Sequence, residues 1–195
     1  MRRLYILIAM VLLLAGCDFS SRGAAIGTYK NPKKALLVLD MQDDFIGEKA
    51  RMPVMKNETV GLINVVNRAI AKNKADGNII IYIRNAFPKT DIGNLFRNNA
   101  ALEGTPGTNI NDTILIESEN IFDKKVPDAF SNSEFENFLI ENQVGEIEIV
   151  GVFADQCVFY TSKSALNRKY KVDYVKNGVA SNSEKAKENA VKRIE

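Results

Sequence analysis

A continuous apolar run, Ala35-Leu-Leu-Val-Leu39, is cut off by the carboxylate of Asp40. A strand with one wet face alternates apolar and polar residues. An unbroken run belongs to a strand buried on both faces, the habit of central strands in parallel sheets. The pattern recurs at Ile79-Ile-Ile-Tyr-Ile83 and over 146–152, with shorter strands at Ile121-Phe122 and 172–175. Helical spacing fills the intervals. Leu62, Val65, Val66 and Ala69 recur at i, i+3, i+4 and i+7, which predicts a helix over 57–74 stopped by Gly77. Ser131 and Glu134 form a capping-box pattern ahead of Phe135, Phe138 and Leu139, and further helices are expected up to about 169 and from about 183. Strands alternating with helices specify an α/β fold, a three-layer α/β/α sandwich. Its open, mostly parallel sheet has five to six strands and carries helices on both faces. Such folds bind ligands beyond the carboxyl ends of their strands. Asp40, the neighbours Lys124 and Lys125, and Cys157 all follow strand ends, so a carboxylate, an ammonium and a thiol share one sheet edge.

Cys157 closes the segment Ile149-Val-Gly-Val-Phe-Ala-Asp-Gln-Cys157. With Asp155 as a helix cap, the thiol falls in a first turn, where the helix dipole and unpaired N–H groups favour a thiolate. A half-buried structural cysteine fits this segment equally well. The other cysteine shifts the balance. Arg2 and Arg3, an apolar stretch over 4–14 and then Leu14-Ala15-Gly16-Cys17 make an export signal too short to span a bilayer comfortably. The last four residues resemble the lipobox of bacterial lipoproteins. That resemblance implies a signal peptide over 1–16, lipidation of Cys17 and anchorage to a membrane of the bacterial cell envelope on its extracytoplasmic face. Two or more acyl chains suffice for stable anchoring. Residues 17–33, aperiodic and rich in small and polar side chains, read as a tether to a domain over 34–195. Loss of Arg2 and Arg3 lowers Lys+Arg from 26 to 24, against 24 acids, so the mature chain is near neutral. It offers no basic face for nucleic acid. Cys157 is then a lone thiol outside the cytoplasm, where oxidation makes an idle cysteine a liability.

Three motifs occur in order. They are Leu37-Val-Leu-Asp40-Met-Gln-Asp-Asp-Phe45, Phe122-Asp-Lys124-Lys-Val-Pro-Asp-Ala129-Phe130 and Val150-Gly-Val-Phe-Ala-Asp-Gln-Cys157-Val158. With Glu103-Gly-Thr-Pro-Gly-Thr108 in the long 85–113 loop, they resemble the isochorismatase-like cysteine hydrolases. The resemblance implies a triad of Asp40, Lys124 and Cys157. The family's register to Phe122, Ala129 and Phe130 favours Lys124, with Lys125 as the alternative. It further implies a cis peptide at Val152–Phe153, with the Phe153 and Cys157 backbone N–H groups serving as an oxyanion hole. Phe45 is expected in the substrate pocket or, nearly as well, in the core. Asp155 is expected as a cap or hydrogen-bond acceptor without a catalytic part. Nicotinamidases of this family hold a metal through an Asp and histidines after the second strand. This chain has no histidine and places Arg84-Asn-Ala-Phe-Pro there, so no metal and no cofactor are expected. Isochorismatases proper lack the nucleophilic cysteine. The implied activity is metal-independent hydrolysis of a C–N bond in a small amide or ureido substrate, in a homo-oligomer anchored to the membrane. The alternative is an anchored binding module that keeps the fold without turnover.

Overall fold

The computed structural model describes residues 18–194; the signal segment and Cys17 lie outside the described residues. Five strands form one sheet in which every pairing is parallel: β1 (Lys33–Leu39), β2 (Ile79–Asn85), β3 (Ile121–Lys124), β4 (Val144–Val152) and β5 (Lys171–Ala180). Their spatial order is β3-β2-β1-β4-β5, so the chain reverses direction across the sheet at β1 and β4. That switch point lies between the strand ends carrying Asp40 and Cys157, where open α/β sheets leave a crevice.

Alternate β1 residues feed opposite faces, as the pleat requires. Leu36 and Val38 join a core with Leu62, Val66 and Ile70 of α2 (Lys56–Ala75). Ala35, Leu37 and Leu39 join the other, with Phe135 and Leu139 of α3 (Ser133–Glu141), Ala165 of α4 (Phe159–Asn167) and Ala190 of α5 (Glu184–Ile194). The short helix α1 (Asp43–Ile46) follows β1 directly. Helices thus cover both faces, in the expected three layers.

Local boundaries depart from the sequence reading in two places. The α3 cap is Asn132, whose side chain accepts from the Glu134 and Phe135 N–H groups. Ser131 instead donates to the Asp128 carbonyl at 2.6 Å and closes a 3₁₀ turn, so no Ser131–Glu134 box forms. Strand β5 runs five residues past Val175. Its pairing to β4 jumps from Ile149↔Tyr174 to Gly151↔Val179, and Asn177 takes a φ of 61° within the irregularity. A bulge of this kind leaves no period-two signal in sequence.

The contact between β1 and β4 is set by Gly151. Its φ is +122°, and a Cβ there would lie 2.0 Å from the Leu39 carbonyl oxygen. Only glycine permits this approach. It draws the end of β4 against the residue before Asp40.

Residues 18–32 carry neither helix nor strand, as their composition implies, and they lie along α4. Lys163 Nζ meets Asp18 at 2.6 Å, the Phe19 and Tyr160 rings pack edge-on at 5.4 Å, the Ser21 N–H donates to Ser164 at 2.8 Å and the Ile26 N–H donates to the Arg168 carbonyl at 2.8 Å.

Candidate active site

Asp40 leaves β1 with a φ of 54°, a left-handed conformation that aspartate tolerates better than most residues. Its N–H donates to the Ile83 carbonyl at 2.8 Å, which pins it to the neighbouring strand. Lys124 ends β3. Both side chains are fully buried, and Lys124 Nζ stands 2.9 Å from Asp40 Oδ2 and 3.2 Å from Cys157 Sγ. The expected carboxylate, ammonium and thiol therefore meet in space. Lys125, one residue on, is exposed.

A fourth member escaped the sequence reading. Asn85 is the last residue of β2 and is in register with Lys124. Its Oδ1 accepts from Lys124 Nζ at 2.6 Å, and its Nδ2 points at Cys157 Sγ at 3.7 Å. Gln42 braces it, accepting from the Asn85 N–H at 2.8 Å and donating to the Asn85 carbonyl at 2.8 Å. The signal was available, since Asn85 ends an apolar strand as Asp40 does.

Cys157 sits in a π-helical turn, Ala154–Val158, ahead of α4, and not in the first turn of a helix capped by Asp155. The Asp155 carboxylate takes the Ser181 hydroxyl instead, the acceptor part of its expected role. The Val152–Phe153 peptide is cis. The Phe153 carbonyl accepts from the Gln156 and Val158 N–H groups, and neither bond uses the Cys157 N–H between them. Phe45 is fully buried, with its ring edge-on to Phe153 at 5.3 Å, so it meets the site from behind, through that residue.

Residues 34–195 match the isochorismatase domain. The chain belongs to the isochorismatase family. It is 24% identical over 166 residues to the isochorismatase family protein PncA of Bacillus subtilis (strain 168), covering 76% of this chain and 87% of that one. An isochorismatase-like hydrolase from Alkaliphilus metalliredigens superposes with a TM-score of 0.76 at 25% identity, over 83% of this chain and 90% of the other. N-carbamoylsarcosine amidase from Thermoplasma acidophilum superposes with a TM-score of 0.72 at 22% identity, over 83% and 92%.

Electrostatics in this isochorismatase-family site follow from the complete burial of three ionisable groups. Burial pushes the Asp40 carboxyl upward, and the Lys124 ammonium beside it opposes the shift. Burial also works against the Lys124 ammonium, but Asp40 and Cys157 outweigh it, so its pKa rises. The Cys157 thiol is pushed up to about 12, first by burial and then by the Asp40 charge, against Lys124. The resting site thus sets the Asp40 carboxyl against the Lys124 ammonium at 2.9 Å beside a thiol whose ionisation is opposed. This corrects the expectation of a thiolate stabilised by a helix start, because desolvation and the adjacent anion outweigh the backbone dipoles. Asp40 Oδ1, buried, has no hydrogen-bond partner and keeps a lone pair free to take a proton.

The residues that would hold a zinc ion do not fit one. The stretch at the end of β2 supplies a guanidinium, an amide and then apolar side chains, and the amide of Asn85 is committed to Lys124 and Cys157. Among the described residues no three His, Cys, Asp or Glu side chains converge.

Proposed function

We propose that the protein is a metal-independent cysteine hydrolase that cleaves the C–N bond of a small amide or ureido compound through a thioester. The observation that carries this reading is the convergence, away from solvent, of Lys124 Nζ on Asp40 Oδ2 at 2.9 Å and Cys157 Sγ at 3.2 Å. Asp40 takes the thiol proton as Cys157 Sγ attacks the carbonyl carbon. Lys124 stays charged and stabilises whichever of the two groups is anionic. The Phe153 and Cys157 N–H groups receive the oxyanion. Collapse expels the amine, which leaves with the proton from Asp40. Asp40 then deprotonates a water that hydrolyses the thioester, and Cys157 recovers its proton. The fold shared with N-carbamoylsarcosine amidase supports the ureido part of the substrate class.

Ammonia release by the full chain, screened against amides and ureido acids, tests this reading. In Asp40→Asn, turnover of the substrate found is expected to fall by about 10²–10⁴-fold, the usual worth of a positioned acid–base group. Alkylation of Cys157 by iodoacetamide at pH 7 should become faster in the same variant, because the anion that holds the thiol pKa up is gone. Parallel loss of both activities would mean that Asp40 only supports the fold.

We further propose lipidation at Cys17 and a place on the extracytoplasmic face of a bacterial membrane. The basic, apolar, lipobox order of residues 2–17 supports it. Among the described residues no helix is long and apolar enough to cross a membrane. Radiolabelled palmitate is expected to enter the wild-type chain and not Cys17→Ser; equal incorporation would remove the anchor.

A further inference from the structure

We propose that the carboxyl edge of the sheet, the edge bearing Cys157, is the surface that lies against the phospholipid bilayer. The inference rests on the lipid anchor at Cys17. Helix α4 starts where β4 ends, so its first turn stands at the carboxyl edge and its last turn at the amino edge. The N-terminal segment follows α4 along its length. Ile26 is bonded to Arg168 at the far end, Ser21 to Ser164 at the middle, and Phe19 packs on Tyr160 in the first turn. Domain residues begin at Lys33, at the amino end of β1, so a loose tether would hang from the edge opposite the active site. The docked strap instead carries the chain back over an α4 of nine residues, about 13 Å at 1.5 Å per residue. Residue 18, ion-paired to Lys163 at 2.6 Å, and Phe19 on Tyr160 thus lie on the half of α4 toward the carboxyl edge, and Cys17 precedes them in the chain.

A second, independent observation lies at the same edge. The 3₁₀ turn Ile92–Leu95 and the following Phe96 leave Ile92, Leu95 and Phe96 exposed at 78%, 77% and 89%. Three large apolar side chains grouped on one turn are costly in water and suited to a membrane interface. This knuckle belongs to the loop that leaves β2 at its carboxyl end. The loop is clamped beyond the end of β1, through the Ala101 N–H on Asp44 at 2.8 Å and the Asn111 N–H on the Met41 carbonyl at 2.9 Å. Lys89, exposed, flanks the apolar group with a cation that favours anionic headgroups, while Arg97 is paired with Asp91 and adds no net charge. The described start of the strap and the knuckle thus lie toward one edge, and the bilayer is the partner that fits both.

The chain contains no tryptophan, so one introduced indole reports without background. Leu95→Trp and, as a control, Ile140→Trp are placed in the full-length lipidated chain. Ile140 is exposed in the last turn of α3, at the amino edge. Each protein is reconstituted in phosphatidylethanolamine–phosphatidylglycerol vesicles with plain or brominated acyl chains. Emission from Leu95→Trp is expected to drop at least about twofold on bromination, as for a side chain within the acyl boundary, with Ile140→Trp unchanged. Equal emission in both lipids from a palmitate-labelled, vesicle-bound protein overturns the orientation and leaves the anchor standing. A blue shift at position 95 without bromine quenching also overturns it, since a second copy would then cover the knuckle. Absence of palmitate at Cys17 defeats the anchor, and this inference with it.

Discussion

Cys157→Ala is expected to reduce ammonia release to background, a loss of at least about 10⁴-fold, as when a covalent nucleophile is removed from a group that works as a unit. The alternatives at this position are separable because the variant should fold. Removal of one buried sulfur leaves the Asp40–Lys124 pair at 2.9 Å untouched and takes away a neutral thiol, not a charge. A stability change of about 1–2 kcal/mol is the expected scale for a small buried truncation. Urea denaturation should therefore show a modest shift in midpoint with the slope unchanged. Undiminished turnover by a folded Cys157→Ala protein would sink the thioester route. Cys157→Ser sharpens the comparison, because an alkoxide is harder to form than a thiolate beside the same base. Its turnover should stay far below that of the wild type.

Lys124→Met is expected to be the most destabilising of the site substitutions, by about 3–5 kcal/mol, because it strands a buried carboxylate without its counter-ion. Asp40 is fully buried, its Oδ1 lacks a hydrogen-bond partner, and Lys124 is the cation in contact with it. The double variant Asp40→Asn/Lys124→Met should recover much of the loss, since the uncompensated charge is then gone. The pH dependence has a definite sign. Asp40 has a pKa raised above its ordinary value of 3.8, so between those values the folded state binds more protons than the unfolded chain. Stability supplied by that proton is fully present below the unfolded pKa and is lost as pH rises through the folded one. Without Lys124 the folded pKa climbs further and the window widens upward. The deficit of Lys124→Met relative to wild type should therefore shrink on acidification from pH 7 toward pH 4.5. A deficit that is constant with pH would show that the cost is packing and not charge.

The strand ends were legible because each is a chemical discontinuity. Apolar runs stop at Asp40, and β4 passes through Gly151 into the turn that holds Cys157. Period and run length also specified the layers, since β1 had to be buried on both faces, and it is. The choice between Lys124 and Lys125 was weaker from residues alone. Strand β3 is a four-residue edge strand, mostly exposed, so hydrophobic alternation does not announce which side chain turns inward. Asn85 was missed for a related reason. An amide at a strand end carries no charge to mark it, and its importance comes from register with Lys124.

The amino-acid sequence by itself determined the α/β layering, the family and the row of polar residues beyond the strand ends, because these follow from local periodicity and from motifs in fixed order. The tertiary structure decided what those residues are to one another. Lys124 and Asp40 are 84 residues apart and Lys124 and Cys157 are 33 apart, so their meeting depends on strand order. Their common burial then works against the expected thiolate. The path of the strap was likewise out of reach, because an aperiodic segment is positioned only by the helix it lies on. Charge state and direction are properties of the surroundings, and the surroundings here are assembled from distant parts of the chain.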